Sequence, residues 1–160
     1  MTNQFVFISA KKQQLYCYDN DTLCKTYPVS TAKNGLGELE GSQCTPRGWH
    51  RIHSHIGMEA QLNSVFVGRR WTGEVYSPQL AVLYPNRDWI LTRIIQLDGL
   101  EKGRNKEGRV DSLQRYIYIH GTPDSTKMNN PKSHGCIRMY NADIVEFAEW
   151  VKLGTYVCIE

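Results

Sequence analysis

The chain has no long apolar run. Nothing in it approaches the roughly 18 consecutive apolar residues of a membrane-spanning helix, so no membrane partner is expected. Its start, Met1-Thr2-Asn3-Gln4-Phe5-Val6-Phe7-Ile8, lacks a basic leader and a small-residue cleavage site. No export signal is therefore read there, and the cytoplasm is the expected compartment. Cysteine is sparse and unpatterned: five residues, an odd number, at 17, 24, 44, 136 and 158. That argues against a disulfide framework. No pair has C-x-x-C spacing, which argues against a structural zinc site even though Cys136, His134 and His120 could supply three ligands. A charge surplus is missing too. Nineteen basic residues against 16 acidic ones leave +3, too balanced for a nucleic-acid partner and compatible with a small anionic substrate. No repeat, linker or low-complexity stretch divides the sequence, so residues 1–160 are expected to form one domain. A hydrophobic content of 41% is enough for a real core.

What is present reads as many short strands. Phe5 to Ser9 and Leu15 to Tyr18 form an opening hairpin, and a turn at Asp19-Asn20-Asp21 leads into a third strand, Thr22 to Val29. Ser30 to Gln43 is a Gly-, Ser- and Asn-rich loop, closed by Thr45-Pro46-Arg47-Gly48. Trp49 to His55 returns to strand, placing His50, His53 and His55 on a polar face near the site mouth. Glycines and prolines break residues 56 to 88 into short pieces, with Val65 to Val67 and Leu80 to Tyr84 as candidate strands or half-turns. Trp89 to Leu97 is a buried strand, and Leu100 to Asp111 a solvated loop. Arg115 to His120 alternates, with Tyr116, Tyr118 and His120 on one face and Ile117 and Ile119 on the other. One helix is expected, from Asn141 as N-cap through Ile144, Phe147, Ala148 and Val151, with Gly154 as its stop. A last strand covers Tyr156 to Ile159. The expected class is mainly β with one C-terminal helix.

The chemistry concentrates in two stretches, Ile119-His120-Gly121-Thr122 and Ser133-His134-Gly135-Cys136-Ile137-Arg138-Met139, with twelve residues between His120 and Ser133. A thiol needs a base to become a nucleophile, and either histidine could serve. Gly135 permits a tight turn that aims the Cys136 amide, and its own, at a developing oxyanion. Arg138 and Arg93 are candidates for gripping a substrate carboxylate, Arg93 being equally readable as a buried structural arginine. Ser133, Thr122 and Tyr118 are further candidates for touching substrate. Cys17, Cys24 and Cys158, in or beside apolar strands, read as buried hydrophobes, and Cys44 is ambiguous.

These residues resemble the L,D-transpeptidase catalytic domain family (YkuD-type): a His-Gly pair, a spacer, then Ser/Thr-His-Gly-Cys, an aliphatic residue and arginine. Tyr27-Pro28-Val29-Ser30-Thr31, Thr45-Pro46-x-Gly48 and Gly154-Thr155-Tyr156-Val157 are similar to further family segments, so the likeness spans nearly the whole chain, least firmly in 56–112. The resemblance implies a mixed-sheet β fold and a cysteine acyl-enzyme with no cofactor. It implies Cys136 as nucleophile, His120 as base oriented by the Gly121 carbonyl, His134 as a shaping residue, and Gly135 and Cys136 as oxyanion donors. The implied substrate is a peptidoglycan stem tetrapeptide, cut before its terminal D-alanine. With a cytoplasmic location the expected outcome is hydrolysis, an L,D-carboxypeptidase trimming tetrapeptides. 3-3 cross-linking, a non-catalytic peptidoglycan-binding domain and an amidase on other D-amino-acid peptides are the alternatives.

Overall fold

The computed structural model describes residues 3–160; Met1 and Thr2, the start of the segment read for an export signal, lie outside it. The strands are β1 Gln4–Ser9, β2 Gln14–Asp19, β3 Thr22–Pro28, β4 Gly48–Ile56, β5 Ser64–Val67, β6 Arg70–Val75, β7 Ile90–Gly99, β8 Tyr118–Thr122, β9 Ile137–Tyr140 and β10 Tyr156–Ile159. A short helix α1, Pro78–Leu83, precedes β7, and α2, Asn141–Trp150, follows β9. No helix among the described residues is long and apolar enough to cross a membrane.

All ten strands join one mixed sheet. β1, β2 and β3 form an antiparallel meander, whose second turn uses Asn20 and Asp21 at φ +49 and +63. Two consecutive left-handed residues suit a two-residue hairpin, and Asn and Asp tolerate that region better than most. β10 lies parallel to β1 and antiparallel to β4, so the latest strand in sequence joins the meander to the rest. β7 is the hub: β4 and the β5–β6 hairpin share one of its edges, and β8 takes the other. β9 pairs parallel to β8. The sheet curls so that its ends approach, because Ser30, just beyond β3, exchanges both backbone hydrogen bonds with Arg138 of β9. The Ser30-to-Gln43 loop therefore begins buried, as a second wall beside β9.

The period of two decides what is inside. Val6, Ile8, Leu15, Ile95, Leu97, Ile119, Ile137, Met139, Val157 and Ile159 point into one core, closed by Ile144, Phe147 and Ala148 of α2. Ile94 and Tyr118 point the other way and meet Phe66, with Cys136 packed against them. β7 and β8 are thus buried on both faces, which explains the nearly continuous apolar run in β7.

Several expectations change. Leu80 to Tyr84 is not a strand: Ser77 caps a helix by accepting from the Leu80 amide (3.1 Å), and Pro78 sits where its missing N–H costs nothing. The strand read as Arg115 to His120 begins only at Tyr118. Tyr116 has φ +57 in a turn closed by its amide on Leu113 O, and the strand continues through Gly121 and Thr122. His120 is therefore inside the strand rather than at its end. Asn141 is not the cap of α2; Tyr140 holds that position without a side-chain bond, and the helix stops at Val151 rather than Gly154, which lies in the following turn. Cys24 is exposed on the outermost strand, whereas Cys17 and Cys158 are buried as expected.

The Asn141 side chain has another task. Relative to β8, β7 bulges between Leu91 and Ile94, and Thr92 there has φ +74, a costly conformation for a β-branched residue. A buried polar cluster holds it. Thr92 Oγ1 donates to Asn141 Oδ1 (2.6 Å) and accepts from the Asn63 amide (3.1 Å), while Asn141 Nδ2 donates to Asn63 Oδ1 (2.7 Å). Gly121 lies directly beneath, where an added Cβ would stand 2.5 Å from both Asn141 Oδ1 and the Leu91 carbonyl. Gly121→Ala is therefore expected to cost about 1–3 kcal/mol of stability through overpacking. Urea unfolding measures this, and a midpoint equal to the unmodified chain would show that the backbone yields freely there.

Candidate active site

The two chemistry-bearing stretches meet because β8 and β9 run side by side, with Ile119 opposite Ile137 and His120 opposite Arg138. Cys136 is the last residue of the turn before β9. Ser133 braces that turn from within: its Oγ accepts from the Gly135 amide (3.2 Å) and donates to the Cys136 carbonyl (2.5 Å). Thr45 braces it from outside, donating to the Gly135 carbonyl (2.9 Å) while accepting from the Ala32 amide (3.0 Å). Gly135 has φ +133, and a Cβ there would stand 3.2 Å from the Cys44 carbonyl. Arg115 fixes that carbonyl in turn, donating to Cys44 O (2.8 Å) and Glu38 O (3.1 Å). The turn is thus held by groups from 37–45, 115 and 133, each satisfied by a named partner.

The sulfur of Cys136 accepts from the Tyr118 amide (3.3 Å) and lies 3.4 Å from the Tyr116 carbonyl, which its proton can reach. Burial pushes this thiol up to about 12, against the opposing pull of the Tyr118 amide, so it rests protonated. His120 lies on the same face of β8 as Tyr118, two residues on, and is 1% exposed. Its Nδ1 is 2.6 Å from the Gly121 carbonyl. A carbonyl only accepts, so Nδ1 carries the proton and Nε2 keeps its lone pair. Burial lowers the imidazole below its ordinary value, outweighing the opposing effect of Asp88. The site holds a neutral thiol and a neutral imidazole rather than a preformed ion pair.

Asp88, from the segment leading into β7, supplies the nearby negative charge. Its Oδ1 accepts from Arg138 Nη2 (2.9 Å) and its Oδ2 lies 3.7 Å from His134 Nδ1. Burial would raise this carboxyl, but His120, Arg138 and His134 together hold it below the usual range. Two clefts open beside His134. One, of about 230 Å³, runs along Asp88, Trp89, Thr122, Thr126 and Arg138. The other, of about 180 Å³, runs along Glu40, Gln43, Gln114, Arg115 and Ile117.

The structure brings together Cys136, His120, Gly121, His134, Gly135, Arg138, Thr122 and Tyr118. Some of these, and Ser133 and Arg93 besides, have an expected polar group engaged elsewhere. The Gly135 amide is taken by Ser133, and Ser133 is enclosed in the turn, so its hydroxyl holds backbone rather than facing a ligand. The Tyr118 hydroxyl accepts from Arg69 (3.2 Å), from the tip of the β5–β6 hairpin. Arg93 is buried in the β7 bulge with its Nη1 on the carbonyls of Ala60 and Thr92 (both 2.7 Å), and it lines neither cleft. The three upstream histidines do not share a face at the mouth. His50 is buried against Gly48 O and Ser112 Oγ, His53 falls where the pairing of β4 with β7 shifts, and His55 bonds Val151 O. Among the described residues, no three His, Cys, Asp or Glu side chains are grouped to hold a metal ion. Asp88 and Arg115 were missed. Asp88 lies in a stretch without periodicity, and Arg115, at the start of the alternating run, acts through the 37–45 loop far from it in sequence.

The family model of the L,D-transpeptidase catalytic domain (YkuD) matches residues 3–159. The protein named YkuD of Bacillus subtilis is 45% identical over 49 residues, 30% of this chain and 30% of that protein. An L,D-transpeptidase from Mycobacterium smegmatis superposes with a TM-score of 0.62 at 13% identity, covering 99% of this chain and 59% of that one. L,D-transpeptidase 3 from Mycobacterium tuberculosis, in complex with a faropenem-derived adduct, gives 0.59 at 13% identity, covering 99% and 60%. The chain thus spans about three fifths of these two structures.

A buried neutral imidazole and a half-buried neutral thiol set the expected pH dependence. Because the His120 value is lowered from 6.5, the base stays unprotonated to below that pH. The acid limb of kcat/KM should therefore have its midpoint below 6.5, with no second rise near 8–9 from thiol ionisation. Iodoacetamide labelling of Cys136, followed by peptide mapping, should likewise show no step near 8–9. A step there would mean that the thiol is solvated.

Proposed function

Because the chain belongs to the L,D-transpeptidase catalytic-domain family, we propose that it is a cysteine acyl-transferase that removes the terminal D-alanine from peptidoglycan stem tetrapeptides, with water as acceptor. The observation that carries the acyl-enzyme part is the pairing of β8 with β9. It puts the Cys136 sulfur on the Tyr118 amide, with His120 two residues further along the same face of β8 and the Gly121 carbonyl fixing the tautomer of its imidazole.

The steps follow from those atoms. Cys136 Sγ attacks the carbonyl of the diamino acid while its proton passes to His120 Nε2. The Cys136 amide, left as the donor of the turn once Gly135 is engaged by Ser133, faces the developing oxyanion. The C–N bond to D-alanine breaks, and the leaving amine takes the proton from His120. Water then attacks the thioester, with His120 again as base, releasing the tripeptide and the thiol. Arg138 is the cation of the larger cleft and the candidate for a substrate carboxylate.

Water as acceptor fits a reducing compartment such as the cytoplasm, where soluble tetrapeptides rather than polymer are at hand. The exposed thiol of Cys24 supports that setting, since an oxidant-rich one would modify it. A second reading has its own observation. Two clefts flanking His134 could seat two peptides, and an amine from the second would give a 3-3 cross-link.

Incubation with a defined tetrapeptide should yield tripeptide and free D-alanine, with or without an acceptor stem, and Cys136→Ala should abolish both. Cross-linked dimer in place of free tripeptide would select the second reading. Arg138→Met should raise KM roughly ten-fold, as loss of a charge-assisted contact does. Arg93→Met should lower stability and leave KM unchanged. The opposite pattern would exchange the roles of the two arginines.

A further inference from the structure

Among the described residues, no carboxylate pairs with Arg115. Its three hydrogen bonds all end on backbone carbonyls: Nη2 donates to Cys44 O (2.8 Å), and Nη1 to Glu38 O (3.1 Å) and Gly37 O (3.4 Å). Carboxylates are near, but each is taken by another group. Glu38 holds Arg47 with both oxygens (3.0 Å each), and Glu40 holds Arg109 (3.0 Å). The Asp111 side chain accepts from the Glu107 and Gln114 amides (2.7 and 2.9 Å). A carbonyl offers a partial negative charge where a carboxylate offers a whole one, so this guanidinium is bonded but not balanced. Burial works against its charged form. A desolvated cation without a counter-ion is costly, and such arrangements gather at functional sites.

What lies beside Arg115 is the turn that carries the nucleophile. A Cβ on Gly135 would stand 3.9 Å from Arg115 Nη2, and the carbonyl that Arg115 grips, Cys44 O, is the one packed on that glycine. Three charges reach the Cys136 sulfur: Asp88 opposes a thiolate, and Arg138 and Arg115 favour one. The two arginines differ in what else they do. The charges acting on His120 are Asp88 and Arg138, so Arg138 also opposes the imidazolium that forms when His120 takes the thiol proton. Arg115 favours one member of the pair without opposing the other.

We propose that Arg115 supports Cys136: its unpaired charge stabilises negative charge on the sulfur, and its fork, through Cys44 O, holds the turn that presents the thiol. It is a positioning residue, acting through that turn rather than on substrate, and its role rests on the acyl-transfer reading above. The charge is used twice. In acylation the S–H electron pair stays on sulfur as the proton passes to His120 Nε2, and that sulfur forms the bond to the carbonyl carbon. In deacylation the C–S bond breaks with its electron pair on sulfur, which then takes the proton back from His120.

The test separates charge from hydrogen bonding. Arg115→Gln keeps an amide donor for Cys44 O and removes the charge; Arg115→Lys keeps the charge and removes the fork. Alkylation of Cys136 by iodoacetamide, a neutral reagent that reports the thiolate fraction, is timed by peptide mapping at one alkaline pH. Arg115→Gln should slow it roughly ten-fold, as loss of a nearby opposite charge does, and Arg115→Lys by less than about three-fold. On tetrapeptide, Arg115→Gln should lower kcat by a similar factor and leave KM unchanged. Urea midpoints establish that both variants fold. An unslowed alkylation in Arg115→Gln, or equal slowing in both variants, overturns the charge role. If Arg115→Gln does not fold, Arg47→Met decides, since Arg47 is half-exposed at the surface. Freeing the Glu38 carboxylate to face Arg115 should slow alkylation about two- to three-fold, and an unchanged rate overturns the role. No release of D-alanine by the unmodified chain overturns acyl transfer instead, and alkylation, which needs no substrate, then decides Arg115 alone.

Discussion

The hydrogen bond from His120 Nδ1 to the carbonyl of its own neighbour, Gly121, is the constraint around which the site is arranged. It settles which nitrogen is free to take a proton, and it does so with backbone rather than with a carboxylate. A backbone acceptor has no ionisation of its own, so the same tautomer is held at every pH where the imidazole is neutral and the strand intact. The arrangement requires Gly121 to lie flat beneath Asn141 and Leu91, and the Asn141–Thr92–Asn63 cluster keeps the bulged β7 in the shape that leaves this space. Packing several residues away from the thiol thereby sets where the proton can go.

The second theme is charge held at a distance. Neither reacting group is ionised at rest, because burial outweighs the groups that would favour the charged forms. Asp88 and Arg138 act on the two groups in opposite senses. Asp88 favours the imidazolium and disfavours the thiolate, and Arg138 does the opposite for both. A site of this kind keeps its nucleophile quiet until a substrate displaces solvent and the proton moves within the attack itself, which protects a partly exposed cysteine from adventitious chemistry.

Much of this was legible in the sequence, for identifiable reasons. Alternation from Ile117 to His120 put His120 on the face of Tyr118 and away from Ile119, and that survived although the strand proved shorter at one end and longer at the other. The glycine before Cys136 announced a tight turn, and the apolar run of β7 announced burial on both faces. What escaped depends on contacts between segments far apart in the chain. Asp88 belongs to a short irregular stretch whose importance comes only from the β9 residue it meets. Thr45 reads as a turn residue, yet its hydroxyl holds the Gly135 carbonyl ninety positions away. Arg93 misled because its alternatives, a ligand grip and a buried arginine, look identical in sequence; a bulge at Thr92 turned it towards backbone carbonyls. Asn141 has the composition of a helix cap, but a better acceptor and donor lay across the core.

The position of β10 between β1 and β4 has a consequence for how the molecule is made. Within the sheet, β1 is joined to β4 through a strand synthesised after every other strand described, while Ser30 meets Arg138 directly. Until Tyr156 to Ile159 leave the ribosome, β1 and β4 both present open edges, and the core lacks Val157 and Ile159. Assembly is therefore a late, collective event dominated by contacts between distant parts of the sequence, a topology associated with slow folding. The catalytic pair, carried by β8 and the turn before β9, is translated earlier than the strand that locks its scaffold. Competence as an acyl-transfer site thus arrives with completion of the sheet, not with synthesis of the residues that do the chemistry.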